Sequence, residues 1–125
     1  MPLSSLDLAE FIVAHPVDDA ARAAAATAIL DTLAVIAAGG GEDAVAHLAA
    51  TIEPSTGHHA KPGFDTGARY RPEDASLLYG TAAHALDYDD VSMLAICHPS
   101  APVLAALLAA ADWTSLTGRV LCDSH

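Results

Sequence analysis

The chain has 125 residues, which is the length of one domain or of a piece of something larger. Hydrophobic residues make up 53% of it and aromatic residues only 5%, so alanine and leucine must fill the core, which favours closely packed helices over a β-sandwich. Sixteen acidic and five basic residues give a formal charge of −11. This balance disfavours nucleic acid and anionic membrane surfaces as partners, because both require basic patches.

Capping residues and apolar spacing predict three helices in the first half of the chain. Ser5 is expected to cap a helix that runs to residue 14, since the residue before Pro16 avoids helical backbone angles. Asp18 or Asp19 opens a second helix that reaches about residue 38. It is apolar on almost all sides, which is typical of a buried helix. Glycines 39–41 stop it, and a third helix covers about residues 42–52.

Residues 53–71 are rich in proline and glycine and predict a loop with at most a brief strand. His58, His59 and Lys61 are expected on its surface instead of at a metal.

A fourth helix is predicted over residues 72–88, with proline at its first position and acids in its first turn. Residues 91–111 carry no charged side chain and are long enough to span a membrane, but His98-Pro99-Ser100 and Pro102 interrupt them. We expect a loop there, followed by a buried helix with Ser100 as its N-cap. A sixth segment, from Thr117, is helical in character and ends after a turn or two, so we expect the chain to be cut mid-helix.

The stretch HALDYDDVSMLAICHPSAPV, residues 84–103, carries the candidate chemistry. Asp87 is predicted on the same helical face as His84, where it can act as a general base or orient a histidine. His98 directly precedes the predicted N-terminus of the fifth helix, which is a ready anion site. The alternatives stay open: His98 can be a buried histidine bonded to a carbonyl, and Asp89 and Asp90 can simply cap turns.

Two other kinds of chemistry are weaker readings of the same stretch. His84, Asp87, Asp90 and His98 are possible ligands of a divalent metal, but no metal-binding motif is present and we expect none to bind. Cys97 is expected to be a buried structural cysteine and not a nucleophile. Together with Cys122 it forms no CxxC and no disulfide framework, and no secretory signal is evident, so we expect reduced thiols and a cytoplasmic protein.

Three stretches, in this order, resemble the MmgE/PrpD family: LAEFIVAHPVDDAARAAAATAILDTLAVIAAGG, RPEDASLLYGTAAHALDYDD and HPSAPVLAALLAAAD. The resemblance implies an all-α fold: the N-terminal part of the family's helical domain, with five to six helices and without the α+β lid domain of the full enzyme. It also implies a homodimer and a reaction on a small di- or tricarboxylate with no metal or organic cofactor.

Carried over by position, the resemblance makes Asp87 and His98 the catalytic candidates and His84, Asp90 and Ser100 the substrate-binding candidates. Val91 stands where the family often has threonine, which puts one substrate hydrogen bond in doubt. The family's catalytic lysine and a further histidine lie beyond residue 125, so we expect the isolated chain to be inert.

The reaction that the resemblance implies first is proton abstraction beside a carboxylate, in a 2-methylcitrate dehydratase-like lyase. The HPSAP segment is closer to the cis-aconitate decarboxylase and iminodisuccinate epimerase branches, which remain alternatives. Two hypotheses compete with the enzyme: a stand-alone helical interaction module and a small metal-binding helical protein.

Overall fold

In a computed structural model, which describes residues 4–57, 60–63, 67–114 and 117–125, the chain forms six helices and one short antiparallel hairpin. The elements are α1 Ser5–Ala14, α2 Asp19–Gly39, α3 Asp43–Ala49, β1 Lys61–Pro62, β2 Arg69–Tyr70, α4 Pro72–His84, α5 Ser100–Thr114 and α6 Gly118–Ser124. The all-α prediction is confirmed, and the loop predicted between α3 and α4 carries the brief strand pairing that its composition allowed.

Side-chain caps set the N-termini of three helices. Ser4, one residue before the predicted cap, begins α1 in a reciprocal capping box with Asp7, and these hydrogen bonds lower the pKa of the Asp7 carboxyl. Asp18 caps α2 by accepting the N–H of Ala21 at 2.7 Å, as predicted. Thr117 caps α6 in the same way.

The prediction that α4 continues to residue 88 is wrong, because the helix ends at His84. The Asp87 N–H donates to the His84 carbonyl at 3.1 Å in a tight turn. Asp87 itself adopts φ 55°, in the left-handed region that ends many helices. Asp87 therefore does not share a helical face with His84, although the turn brings it back to the same site. The third helix is also shorter than predicted and ends at Ala49.

Helix α4 is the centre of the packing and contacts α2, α3 and α5. The core is made mainly of alanine and branched aliphatic residues, with two tyrosines: Ile36, Val45, Tyr70, Ala75, Leu78, Tyr79, Ala82, Ala83, Ala101 and Ala105. Alanines at the α4–α5 contact let the two helices lie close together, and α5 thereby reaches the C-terminal end of α4. This arrangement fixes both walls of the site.

Helix α6, at the C-terminal end of the described chain, packs against α2. Arg22 Nε pairs with Asp123 of α6 at 2.5 Å, and this contact raises the pKa of the arginine. By length and composition α2 could also cross a membrane, but core helices of soluble proteins pass the same test. Its C-terminal half supplies Val35 and Ile36 to the core, whereas much of its N-terminal half is exposed, contrary to the expectation of all-round burial.

Two expectations about the loop before α4 have different outcomes. Lys61 is buried, which corrects the predicted surface location, because the hairpin folds back against α4. His58 and His59 lie outside the described residues.

Candidate functional site

An open cleft of about 760 Å³ lies between α4 and α5. Its walls are mostly small or apolar, and its polar end is formed by two histidines and a carboxylate. The lining residues are Ala44, Glu73, Ser76, Leu77, Gly80, Thr81, His84, Ala85, Asp89, His98, Ala101, Pro102 and Ala105. Gly80 keeps the α4 wall low, since a Cβ there would lie 3.8 Å from the Ala105 methyl group.

The loop of residues 85–99 brings the chemical groups to this end of the cleft. It turns at Asp87, forms a small antiparallel bridge between Ser92 and Cys97, and returns to the start of α5. Its tip is apolar and exposed at Met93, Leu94 and Ile96. The loop thus closes on itself and sets the residues around Asp87 opposite His98.

Asp89 lies at the centre of the cluster, with its side chain fully shielded from solvent. Its two carboxylate oxygens lie 3.0 and 3.1 Å from His84 Nδ1. Oδ1 also lies 3.3 Å from His98 Nδ1, which is buried and lacks a well-aligned hydrogen-bond partner. The two imidazole rings meet edge to face, with their centroids 4.6 Å apart. One buried carboxylate therefore faces the Nδ1 atoms of both histidines.

Asp87 occupies the opposite, open side of His98. Its carboxylate is 80% exposed, and Oδ1 lies 3.8 Å from His98 Nε2, whereas the His98 side chain is only 29% exposed. An exposed carboxylate beside an imidazole is a pair able to move a proton to or from a ligand in the cleft.

Asp90 crosses from the loop to the first turn of α5. Its carboxylate accepts the Ser100 backbone N–H at 3.0 Å and the Ser100 hydroxyl at 2.7 Å. The prediction that Ser100 is the N-cap is wrong: it is the first helical residue, and the Val103 N–H reaches back to the Pro99 carbonyl. His125 Nε2 lies 3.2 Å from the same hydroxyl. The anion position predicted for a substrate at this terminus is thus occupied in part by a protein carboxylate.

The structure brings the predicted site residues together in two groups. His84, Asp87 and His98 surround Asp89, while Asp90 and Ser100 bind each other beside them. Their roles toward substrate stay predictions. Asp89 was left open between a turn cap and a site residue, and His125 was not considered. The one sequence signal for Asp89 was its position in the acidic segment DYDD, residues 87–90.

The same cluster has the donor types of a metal site. One ligand atom each from His84, Asp87, Asp89 and His98 lies within 4.8 Å of the others. Imidazole and carboxylate donors suit several divalent transition metals, so the residues present could hold one. Cys97 is not part of the set. It is exposed and free, which corrects its predicted burial.

None of the five lysines and arginines lines the cleft. Arg22 binds Asp19 and Asp123, Arg69 donates to the Ala60 carbonyl, Arg71 pairs with Asp74, Arg119 pairs with Asp123, and Lys61 is buried in β1. The cleft formed by the described residues therefore offers imidazoles, but no permanent cation, to an anionic ligand.

Comparison with protein-family models identifies residues 6–124 as an MmgE/PrpD N-terminal domain. The match covers nearly the whole chain and includes every residue of the cluster. Searches of curated proteins and of solved structures gave no match.

Proposed function

Since this chain belongs to the MmgE/PrpD family, we propose that its cleft is the α-helical half of an active site that removes a proton beside a carboxylate of a small di- or tricarboxylate. The observation that carries the proposal is the Asp87–His98 pair, with 3.8 Å between the carboxylate oxygen and Nε2, at the open end of the cleft. Two groups this close can both contact one substrate, and the geometry of an empty site tightens when a ligand binds.

In the proposed reaction Asp87 takes the proton from the carbon next to the carboxylate. Its side chain is exposed and lies beside His98, which lines the cleft. The electron pair of the broken C–H bond forms a C=C bond as the neighbouring C–O bond breaks. His98 gives a proton from Nε2 to the departing hydroxide, which leaves as water. The products are an unsaturated acid and water, and the reaction is that of a 2-methylcitrate dehydratase-like lyase.

The two alternative reactions, decarboxylation and epimerisation, also break a bond at a carbon beside a carboxylate. In a decarboxylase CO₂ leaves and the carbon is protonated, and in an epimerase the proton returns to the opposite face. We carry over from the resemblance that the working protein is a homodimer without metal or cofactor, and the expected reduced thiols support a cytoplasmic location. The four-residue donor set makes metal content worth measuring, and stoichiometric metal in the purified protein would reject this part of the proposal.

The deciding experiment assays the complete gene product against 2-methylcitrate, cis-aconitate and iminodisuccinate. We expect turnover of one of the three, and loss of roughly 100-fold or more in kcat in Asp87→Asn and His98→Ala. Asp31→Asn is the matched control, because it makes the same chemical change at an exposed position of α2. Turnover that survives both cluster variants would reject the assignment of these residues, and no turnover of any of these acids would reject the substrate class.

A further inference from the structure

Asp89 is the most buried charged group of the cluster, and the proposed proton transfers do not use it. Its side chain has no exposed surface, whereas the side chains of His84 and His98 are 55% and 29% exposed. Burying a carboxylate costs several kcal/mol unless its oxygens are bonded to donors. The groups facing its oxygens are the Nδ1 atoms of the two histidines, at 3.0–3.1 Å and 3.3 Å.

An ionised carboxylate can only accept hydrogen bonds, so a ring nitrogen that bonds to it must carry the proton. His84 Nδ1 is therefore the N–H nitrogen of its ring. His98 Nδ1 makes no aligned hydrogen bond, but it is buried and faces Asp89 Oδ1 at 3.3 Å, so a proton on this nitrogen would have that oxygen as its acceptor. In a neutral imidazole only one nitrogen carries hydrogen, and Nε2 of each ring is then left with its lone pair.

We propose that Asp89 is a positioning residue that holds both His84 and His98 in the Nδ1–H tautomer, so that each ring exchanges protons with the cleft only through Nε2. A carboxylate that orients one histidine is familiar from catalytic triads. Here one carboxylate faces two rings. His84, which the proposed proton transfers do not use, becomes a second oriented imidazole at the polar end of the cleft.

The tautomer fixes the direction of proton movement. Once His98 has given up its Nε2 proton, Nδ1 keeps its own proton, which faces Asp89. The free lone pair of Nε2 then lies on the side of Asp87. The opposite tautomer would direct the lone pair at the buried carboxylate and leave Nε2 unable to accept a proton. The catalytic meaning of this arrangement rests on the proposed function, whereas the tautomers themselves do not.

The test is ¹⁵N NMR of the imidazole nitrogens at about pH 9, where an ordinary histidine is neutral. The chain has seven histidines, and spectra of His84→Gln and His98→Gln assign the two signals. We expect both rings of the unmodified protein to be Nδ1–H. A predominant Nε2–H form of either ring would overturn the proposal, and this measurement needs no substitution at Asp89.

The second arm is Asp89→Asn, whose amide can donate to Nδ1 and so favours the opposite tautomer. We expect a shift of at least one ring toward Nε2–H, with Asp31→Asn leaving both rings unchanged. Unchanged tautomers in a folded Asp89→Asn variant would contradict the proposal. If that variant does not fold, the spectra of the unmodified protein decide alone.

Kinetics of the complete gene product separate this inference from the proposed function. Asp89→Asn should lower kcat by roughly 100-fold or more with a much smaller change in KM, because a wrong tautomer impairs proton transfer more than binding. Correct tautomers without turnover of the carboxylic acids would refute only the proposed function. Turnover that is insensitive to Asp89→Asn would refute only the role of Asp89.

Discussion

Asp87 combines a left-handed backbone with the carboxylate proposed as the base, and two substitutions separate these two features. Its φ of 55° favours asparagine and aspartate over other non-glycine residues. We expect Asp87→Asn to keep the free energy of unfolding within about 0.5 kcal/mol of the original value, and Asp87→Ala to lose about 1 kcal/mol more. Urea denaturation measures both. Equal stability of the two variants would show that the left-handed turn carries no residue preference.

Sequence reasoning identified only part of the candidate site. Spacing and resemblance selected Asp87 and His98; His98 lines the cleft and Asp87 lies beside it. They could not show that Asp89 faces inward, because the orientation of a loop residue depends on the turn before it. That turn is made by a left-handed aspartate, whereas helix ends are usually recognised by a glycine. Cys97 was assigned to the interior for its residue type, yet its short bridge with Ser92 leaves it exposed.

At the scale of elements, the α2–α4 contact depends on one missing methyl group. A Cβ on Gly39 would overlap the Ala82 carbonyl oxygen, which belongs to helix backbone and cannot move aside cheaply. We expect Gly39→Ala to lower the free energy of unfolding by about 1–3 kcal/mol. The displaced contact is one of those that hold α4 in place, so the site should loosen with it.

Gly80→Ala is the matched control for Gly39→Ala. A methyl group there meets only the Ala105 side chain at an ordinary 3.8 Å, and alanine is the better helix former by about 0.5–1 kcal/mol. This variant should be as stable as the original protein or more so in the same denaturation experiment. A Gly39→Ala protein as stable as Gly80→Ala would contradict the close approach of the two helices.

Asp90 links the loop to α5 by satisfying two donors of Ser100. A negative charge at a helix N-terminus is favourable, whereas at the end of α4 the dipole would oppose it. We expect Asp90→Ala to cost about 1–2 kcal/mol and Ser100→Ala less, because the second variant keeps the backbone hydrogen bond. A double-mutant cycle by urea denaturation measures their coupling, and purely additive losses would contradict the pairing.

Helix boundaries were predictable where one residue type dictates them. Asp18 and Thr117 cap, Pro16 forbids continuation, and Pro72 starts a helix, and these boundaries agree with the structure to within a residue or two. The end of α4 was missed because apolar and polar residues keep helical spacing past His84. Only the tertiary contacts of Asp89 and Asp90 draw the chain out of the helix, and such contacts leave no mark in local propensity.

For the whole molecule, the distribution of charge sets what the cleft can do. Proton removal beside a carboxylate builds negative charge on that group, and preorganised cations or hydrogen-bond donors must stabilise it. None of the five lysines and arginines lines the cleft, and the first-turn N–H of Ser100 is bonded to Asp90. The described cleft thus contains a proton-transfer pair without the positive groups that the transition state requires.

We therefore expect the 125-residue chain alone to give no turnover of 2-methylcitrate, cis-aconitate or iminodisuccinate under conditions in which the complete gene product is active. Loss of one such electrostatic contact typically costs 10²–10³-fold in rate, and here the whole cationic set is lacking. Product formation followed by chromatography measures this, and NMR of the chain confirms that it is folded. Rates from the chain alone within about tenfold of the complete protein would mean that His84 and His98 supply all the positive charge that the reaction needs.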